Sequence, residues 1–284
     1  MKLLLTDATN DLGQALQHDL ERESFALLSP SAQVLDWLDE PAITHYIAEQ
    51  QPAVVLNTLG VGEDSVQADG ALAQAAANLA RACAAAGIPL IQLSSYRVFG
   101  DRKRSVHHER DEPEPASAQG HAWRAAELAV LKAHERAVVL RYSWLVAGYG
   151  DNLLTRHLRA FAAGEPVTVS RRWRGAPTAL SDASRVAIAL AKQVVCGAEN
   201  WGVMHYCTGD AVSEAEFVAE LVQLLEQQGL LSQPAHVEET DELPDGEPVS
   251  AVLGCRRAKD HYGVQARSWR PTLLPMVKLW VSAQ

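Results

Sequence analysis

The segment Thr6-Asp7-Ala8-Thr9-Asn10-Asp11-Leu12-Gly13 follows an apolar run, Lys2 to Leu5, and opens a stretch in which Leu12, Ala15, Leu16 and Leu20 recur at helical spacing. A loop in that position can hold a pyrophosphate on backbone N–H groups at a helix N-terminus, provided glycines let the anion approach. Gly13 is the only glycine of the loop, and Asp7 brings a carboxylate to where the phosphate would arrive. Like charges about 4 Å apart repel by roughly 1–4 kcal/mol. Dinucleotide binding is therefore expected to be weakened; the alternative is a loop that merely turns strand into helix. His107-His108-Glu109 has metal-ligand residue types, but neighbours on an extended loop point in opposite directions and no third ligand is spaced to join them. A solvated loop without metal is expected. No G-x-S-x-G elbow occurs, which argues against a hydrolase.

These residues need elements to position them, and the apolar pattern supplies a strict alternation. Phe25 to Leu28, Ala53 to Asn57, Pro89 to Ser95 and Ala137 to Arg141 read as buried strands. Helices fall between them: one opened by Asp39 and Pro41, an alanine-rich one from about Val66 to Ala86, and one through Trp123, Leu128 and Leu131. Strands alternating with helices make right-handed crossovers, so the expected fold is α/β: a doubly wound, Rossmann-like parallel sheet over residues 1–150. Beyond 150 the rhythm loosens. A helix from Asn152, short strands at Val167–Val169 and Val203–Tyr206, a helix from Ser181 and the capping box Ser213-Glu214-Ala215-Glu216 suggest a smaller substrate-type lobe over 151–284, interleaved with the first domain. Glu238 to Pro248, acidic and holding two prolines, is expected to be a solvated loop.

The chain has 284 residues, 48% of them hydrophobic and 21% charged, with no apolar run of membrane-spanning length. Its start is too short and too soon acidic for a secretory signal, which predicts a cytoplasmic protein. Four cysteines, Cys83, Cys196, Cys207 and Cys255, are widely spaced without a C-x-x-C pair, so neither a disulfide framework nor a zinc site is expected. A net charge of −10 makes nucleic acid a poor partner.

The segment Leu93-Ser94-Ser95-Tyr96-Arg97-Val98-Phe99-Gly100 resembles the I-S-T-D-Y-V-F-D-G strand end of the dTDP-4-dehydrorhamnose reductase family, extended short-chain dehydrogenases/reductases. Glu109-x-Asp111-x-Pro113-x-Pro115 resembles its E-x-D-x-P-x-P segment. Arg141-Tyr142-Ser143-Trp144, Gly175-Ala176-Pro177-Thr178 and the strand from Gly202 to Gly209 match further family segments. In this register the first loop resembles T-G-x-x-G-x-x-G with Asp7 and Asn10 at the first two glycines. Thr6, Asp7, Asn10, Asp11, Leu12 and Gly13 then fall on the cofactor loop, and Asn10 can take a left-handed backbone at modest cost.

The family's x-N-x-Y-G-x-x-K places Ser117 on the Asn, Gln119 on the catalytic Tyr, Gly120 on the Gly and Trp123 on the Lys. The resemblance implies that the Tyr protonates a ketone as hydride arrives from NADP(H) or NAD(H), and that the Lys lowers its pKa and holds the nicotinamide ribose. Gln119 has no titratable proton, and loss of a general acid forfeits roughly 10²–10⁴ in rate. Of the catalytic trio only a hydroxyl remains, at Ser95. Tyr96 or His121 could present a proton from a shifted position.

Four basic clusters, Arg102-Lys103-Arg104, Arg171-Arg172-Trp173-Arg174, Arg256-Arg257-Ala258-Lys259 and Arg267-Ser268-Trp269-Arg270, suit either an anionic nucleotide or a protein partner. Ser94, Asn152, Arg172, Trp173 and Arg256 are the candidate substrate-binding residues. The expectation is a reductase fold that binds a nucleotide, sugar nucleotide or protein partner without catalysis, in a regulatory role. The competing expectation is NADPH-dependent reduction of a dTDP-4-keto-6-deoxy sugar.

Overall fold

Leu3–Leu5, Val54–Leu56, Leu90–Ile91 and Val138–Leu140 have no exposed surface, and strands buried on both faces require helices on both. A computed structural model describes residues 1–61, 70–100, 104–231 and 233–284. The expected helix start at Val66 and the Arg102-Lys103 pair lie outside these. The described elements run β1 (Lys2–Leu5), α1 (Asp11–Leu20), β2 (Ala26–Leu28), α2 (Glu40–Gln50), β3 (Val54–Asn57), α3 (Ala71–Ala86), β4 (Leu90–Ser95), α4 (Ala118–Ala133) and β5 (Ala137–Tyr142). Then come β6 (Leu145–Val146), α5 (Leu153–Ala163), β7 (Val167–Ser170), β8 (Arg174–Gly175), β9 (Thr178–Ala179), α6 (Leu180–Val195), β10 (Gly202–Tyr206), β11 (Val212–Ser213), α7 (Glu214–Gln227), β12 (Val237–Thr240), α8 (Arg256–Tyr262) and α9 (Arg270–Ser282).

Parallel pairing gives a central sheet in the order β10-β5-β4-β3-β1-β2, the doubly wound α/β class that the sequence implies. The chain leaves β1 in one direction and returns on its other side at β3, so a crevice opens between their C-terminal ends. Buried side chains lace that edge. Thr6 Oγ1 donates to Asn57 Oδ1 at 2.8 Å, Asn57 Nδ2 donates to Gln92 Oε1 at 2.6 Å, and Thr58 Oγ1 donates to the Asp7 carbonyl at 2.6 Å.

Three features depart from the sequence reading. The strand near Val203, expected in the smaller lobe, is β10 and extends the central sheet beside β5, while α6 packs on α1. The acidic segment after Val237 is not merely solvated: its first residues form β12 in parallel register with β7. Further along it, Glu247, its side chain 9% exposed, accepts Tyr96 Oη and Arg97 Nε, each at 2.7 Å. His107 is not solvated either. It is 2% exposed, stacks on Phe99 with ring centroids 4.2 Å apart, and has Nε2 3.1 Å from the Ser250 carbonyl. Burial holds its imidazole below the ordinary histidine range.

One charged pair sits at the centre of this architecture. Glu127 on α4 has no exposed surface and Arg141 on β5 has 1%. Arg141 donates Nε and Nη2 to the two carboxylate oxygens at 2.7 and 2.6 Å, Ser94 Oγ on β4 donates to the same carboxylate at 2.6 Å, and the guanidinium lies 5.1 Å from the Phe99 ring centre. Removing one member strands the other charge in the interior. Glu127→Gln is expected to lower stability by roughly 3–5 kcal/mol in urea denaturation, while Glu127→Leu with Arg141→Met recovers most of that loss. A Glu127→Gln variant as stable as the parent would show that the pair is not a structural anchor.

Candidate functional site

Asp7 turns the first loop inward. Its Oδ1 accepts the Thr9 N–H at 2.7 Å and Thr9 Oγ1 at 2.6 Å, and its Oδ2 accepts Asn10 Nδ2 at 3.0 Å. An anion belonging to the protein itself thus takes up donors beside the N-terminus of α1, where a pyrophosphate would otherwise be held. Asn10 is not left-handed: at φ −73° and ψ 160° it is the extended N-cap of α1, accepting the Gly13 N–H at 2.8 Å. The cap explains the difference, since an extended backbone aims the side-chain oxygen at the first turn. Gly13 is required by packing, because a Cβ there would lie 2.1 Å from the Asp7 carbonyl oxygen. Thr6 and Asp7 line a cleft of about 700 Å³ with Asp36 and Trp37.

A second, tighter pocket of about 90 Å³ lies deeper, between the end of β4, the start of α4 and the first turn of α5. Asp11, Leu12, Ser94, Ser95, Tyr96, Gln119, Trp123, Asn152 and Trp173, all sequence candidates, meet there. Ser117 caps α4 by accepting the Gly120 N–H at 3.1 Å, and Gly120 presses on the Arg97 carbonyl, where a Cβ would sit at 2.2 Å. That contact seats the start of α4 against the strand end and brings Gln119 to the pocket. Trp123 follows, 4% exposed, one helical turn before Glu127. The ion pair below therefore fixes the rotation that turns the indole to the pocket.

None of the phenols on this wall presents a proton freely. Tyr96 donates to Glu247, and Tyr142 donates to the Ala183 carbonyl at 2.9 Å, with burial holding its phenol well above the ordinary range. His121 is exposed and lines neither cavity. Ser94 is spent on Glu127. Asn152 caps α5, accepting the Leu154 and Thr155 N–H groups at 3.1 and 3.3 Å, so its amide holds the wall in place. Burial and the neighbouring Asp151 raise the Asp11 carboxyl.

Sequence reasoning missed Trp144 and Arg156. Trp144 packs on Trp173 with ring centroids 4.5 Å apart; both are 3% exposed, and neither buried indole N–H has a partner among the described residues. A Cβ at Gly175 would lie 2.2 Å from the Trp144 ring, so that glycine admits the indole. Arg156 follows Asn152 by four residues on α5, a helical spacing that could have flagged it. Gln119, Arg97, Arg156 and Trp173 also line an outer groove of about 520 Å³ together with Glu214, Glu242 and Glu247.

Among the described residues, the arginines of the basic clusters line neither the pocket nor the groove. Arg171 pairs with Asp241, Arg174 with Glu216, Arg256 with Asp260, and Arg270 with Asp210 and Glu220. Arg172 reaches the Asp241 carbonyl at 3.5 Å. Neither it nor Arg256 lines the pocket or the groove. Trp173 and Trp269 are buried rather than set on a rim. Arg171, Arg174, Arg256 and Arg270 thus each have a carboxylate partner nearby. Among the described residues no cluster of metal ligands occurs and no helix is long and apolar enough to cross a membrane.

A doubly wound parallel sheet with a cleft at its switch point and a pocket at the end of β4 fits the extended short-chain dehydrogenase/reductase class, with its Rossmann-type NAD(P)-binding fold. Within that class the chain belongs to the RmlD substrate binding domain family, whose model matches residues 1–281. It is 29% identical over 281 residues to the dTDP-4-dehydrorhamnose reductase of Streptomyces griseus, covering 95% of this chain and 91% of the relative. The crystal structure of a dTDP-4-dehydrorhamnose reductase from Clostridium acetobutylicum superimposes with a TM-score of 0.85 at 25% identity, covering 98% of this chain and 99% of the other. That of the Bacillus anthracis enzyme in complex with NADP gives 0.79 at 21%, covering 99% and 98%.

If the Asp7 carboxylate holds the place of a phosphate, Asp7→Gly is expected to tighten NADPH binding by a factor of roughly 5 to 1,000, read from tryptophan fluorescence. Unchanged affinity would show that the carboxylate stands clear of the anion's path.

Proposed function

We propose that this protein binds a nucleotide or sugar nucleotide in the pocket and outer groove without transferring hydride. The observation that carries this reading is the wall of the central pocket, lined by Gln119 and Trp123, the two residues that the family resemblance sets at its acid and ammonium positions. Reduction of a ketone needs a proton delivered as the oxyanion forms. The carboxamide of Gln119 can hold a carbonyl or hydroxyl by hydrogen bonds but cannot supply that proton. Trp123 offers an apolar face where a charged amine would grip a ribose. Together with Asp7 in the first loop, these residues do not fit a tightly held nicotinamide dinucleotide.

What they do fit is a polar, ring-bearing ligand. Trp144 and Trp173 provide aromatic surface and two buried N–H donors without partners among the described residues, and Gln119 and Arg156 join the pocket to the groove. The family's substrates, dTDP-sugars, have this character. A regulatory role follows from binding without turnover.

Calorimetric titration of the purified protein with dTDP, a dTDP-hexose, NADPH and NADH separates the readings. Saturable binding of the sugar nucleotide, with weak or no binding of either dinucleotide, is the expected result. NADPH consumption in the presence of a dTDP-4-keto-6-deoxy sugar would establish the competing reductase and overturn the proposal. Restoring Asp7→Gly, Gln119→Tyr and Trp123→Lys together is expected to confer dinucleotide binding and turnover at least roughly 10²-fold above the parent. A parent protein that already binds NADPH as tightly as the restored one would show that Trp123 does not obstruct the ribose.

A further inference from the structure

Cys207 and Cys255 are 48 positions apart, yet their sulfurs are 3.6 Å from one another. Cys207 directly follows β10 and is 3% exposed; Cys255, half-buried, ends the strap that runs from Ser250 toward α8. The Cys207 N–H donates to Cys255 Sγ at 3.1 Å, and the Cys207 thiol points to the Leu253 carbonyl at 3.2 Å. Two sulfurs in contact need an approach of about 1.5 Å to reach a disulfide bond length. The other two cysteines, Cys83 buried in α3 and Cys196 exposed at the end of α6, have no such neighbour among the described residues.

We propose that Cys207 and Cys255 form a redox modification site, closed to an intramolecular disulfide by a hydroperoxide and reopened by small thiols. In the first step the sulfur of Cys255, the less buried residue of the two, attacks the peroxide oxygen; the O–O bond breaks, Cys255 becomes a sulfenic acid, and its thiol proton leaves with the other oxygen as water or an alcohol. Cys207 then attacks Cys255 Sγ, its proton leaves with the hydroxyl as a second water, and the S–S bond forms. Each sulfur gives up one electron and the peroxide gains two. Electrostatics favours the second step. The Cys255 S–H directed at Cys207 holds the Cys207 thiol below its ordinary range, which suits the attacking group. The same contact, with burial, holds Cys255 above it, so the first step is slow and selects for sustained oxidant.

The closed form matters for the site because of what the strap holds. Ala251 accepts the Ser143 hydroxyl at 2.8 Å, its N–H donates to the Arg174 carbonyl at 2.6 Å, and four residues upstream Glu247 secures Tyr96 and Arg97 at the pocket wall. A bond from Cys255 to Cys207 pins that strap to the central sheet.

The test treats the full-length protein, and its Cys196→Ser variant, with hydrogen peroxide and maps the unreduced digest by mass spectrometry. The expected result is a cross-linked Cys207–Cys255 peptide, loss of two of the four free thiols, full reversal by dithiothreitol, and a rise of roughly 5–10 °C in Tm while oxidised. Cys255→Ser abolishes the cross-link; should that variant not fold, the peptide map of the parent decides alone. Oxidation that ends in a sulfinic acid at Cys255, or in intermolecular dimers through Cys196, with no Cys207–Cys255 peptide, overturns the proposal.

Discussion

The bidentate contact between Glu127 and Arg141 is the constraint around which the site is arranged. It joins α4 to β5, takes a third bond from Ser94 on β4, and does so with essentially no solvent at either charge. An unpaired charge at that depth costs several kcal/mol, so α4 has one tolerable rotation about its axis. Everything presented by the same helical face inherits that rotation, including Trp123 one turn earlier and, through the Gly120 contact, Gln119. A reductase scaffold can therefore exchange its reacting residues on this face without disturbing their placement, because the anchor lies one turn below Trp123 and two below Gln119.

The frame was legible in the sequence because the information is local. Most central strands are largely apolar runs, and several helices carry a cap or a stop that acts within a few residues: Asp39 with Pro41, Gly87 after Ala86, Ser213 with Glu216. What the sequence hid is non-local. β12 reads as an acidic tract because Val237-Glu238-Glu239-Thr240 has little apolar character, and its register comes from β7, about seventy positions earlier. The stacking of His107 on Phe99, the packing of Trp144 on Trp173 behind Gly175, and the meeting of Cys207 with Cys255 likewise join distant segments that no periodicity connects. The arginine clusters show the complementary limit: clustering along the chain is visible, whereas the carboxylates beside Arg171, Arg174, Arg256 and Arg270 are not.

The candidate site divides in the same way. Gln119 and Trp123 could be placed from the register of a resembling segment, and the structure brings both to the pocket with Ser95 and Asn152. Their chemical neighbourhood came only with the fold. Tyr96 is tied to a carboxylate from the acidic segment, and the Asn152 amide is consumed by its own helix. Asp7 lies between these cases. Its bonds to Thr9 and Asn10 span two and three residues, a local Asx-type turn that its residue types already favour.

The position of β10 at one end of the sheet has a bearing on how the chain reaches this state. β10 pairs with β5 across some sixty intervening residues. During synthesis the five earlier strands leave the ribosome first, and the flank of Ala137–Tyr142 stays bare until Gly202–Tyr206 arrives to close it. For that interval the nascent protein offers a ribbon that is apolar from Ala137 to Leu140 and has unsatisfied amides, the kind of edge that recruits chaperones or foreign strands.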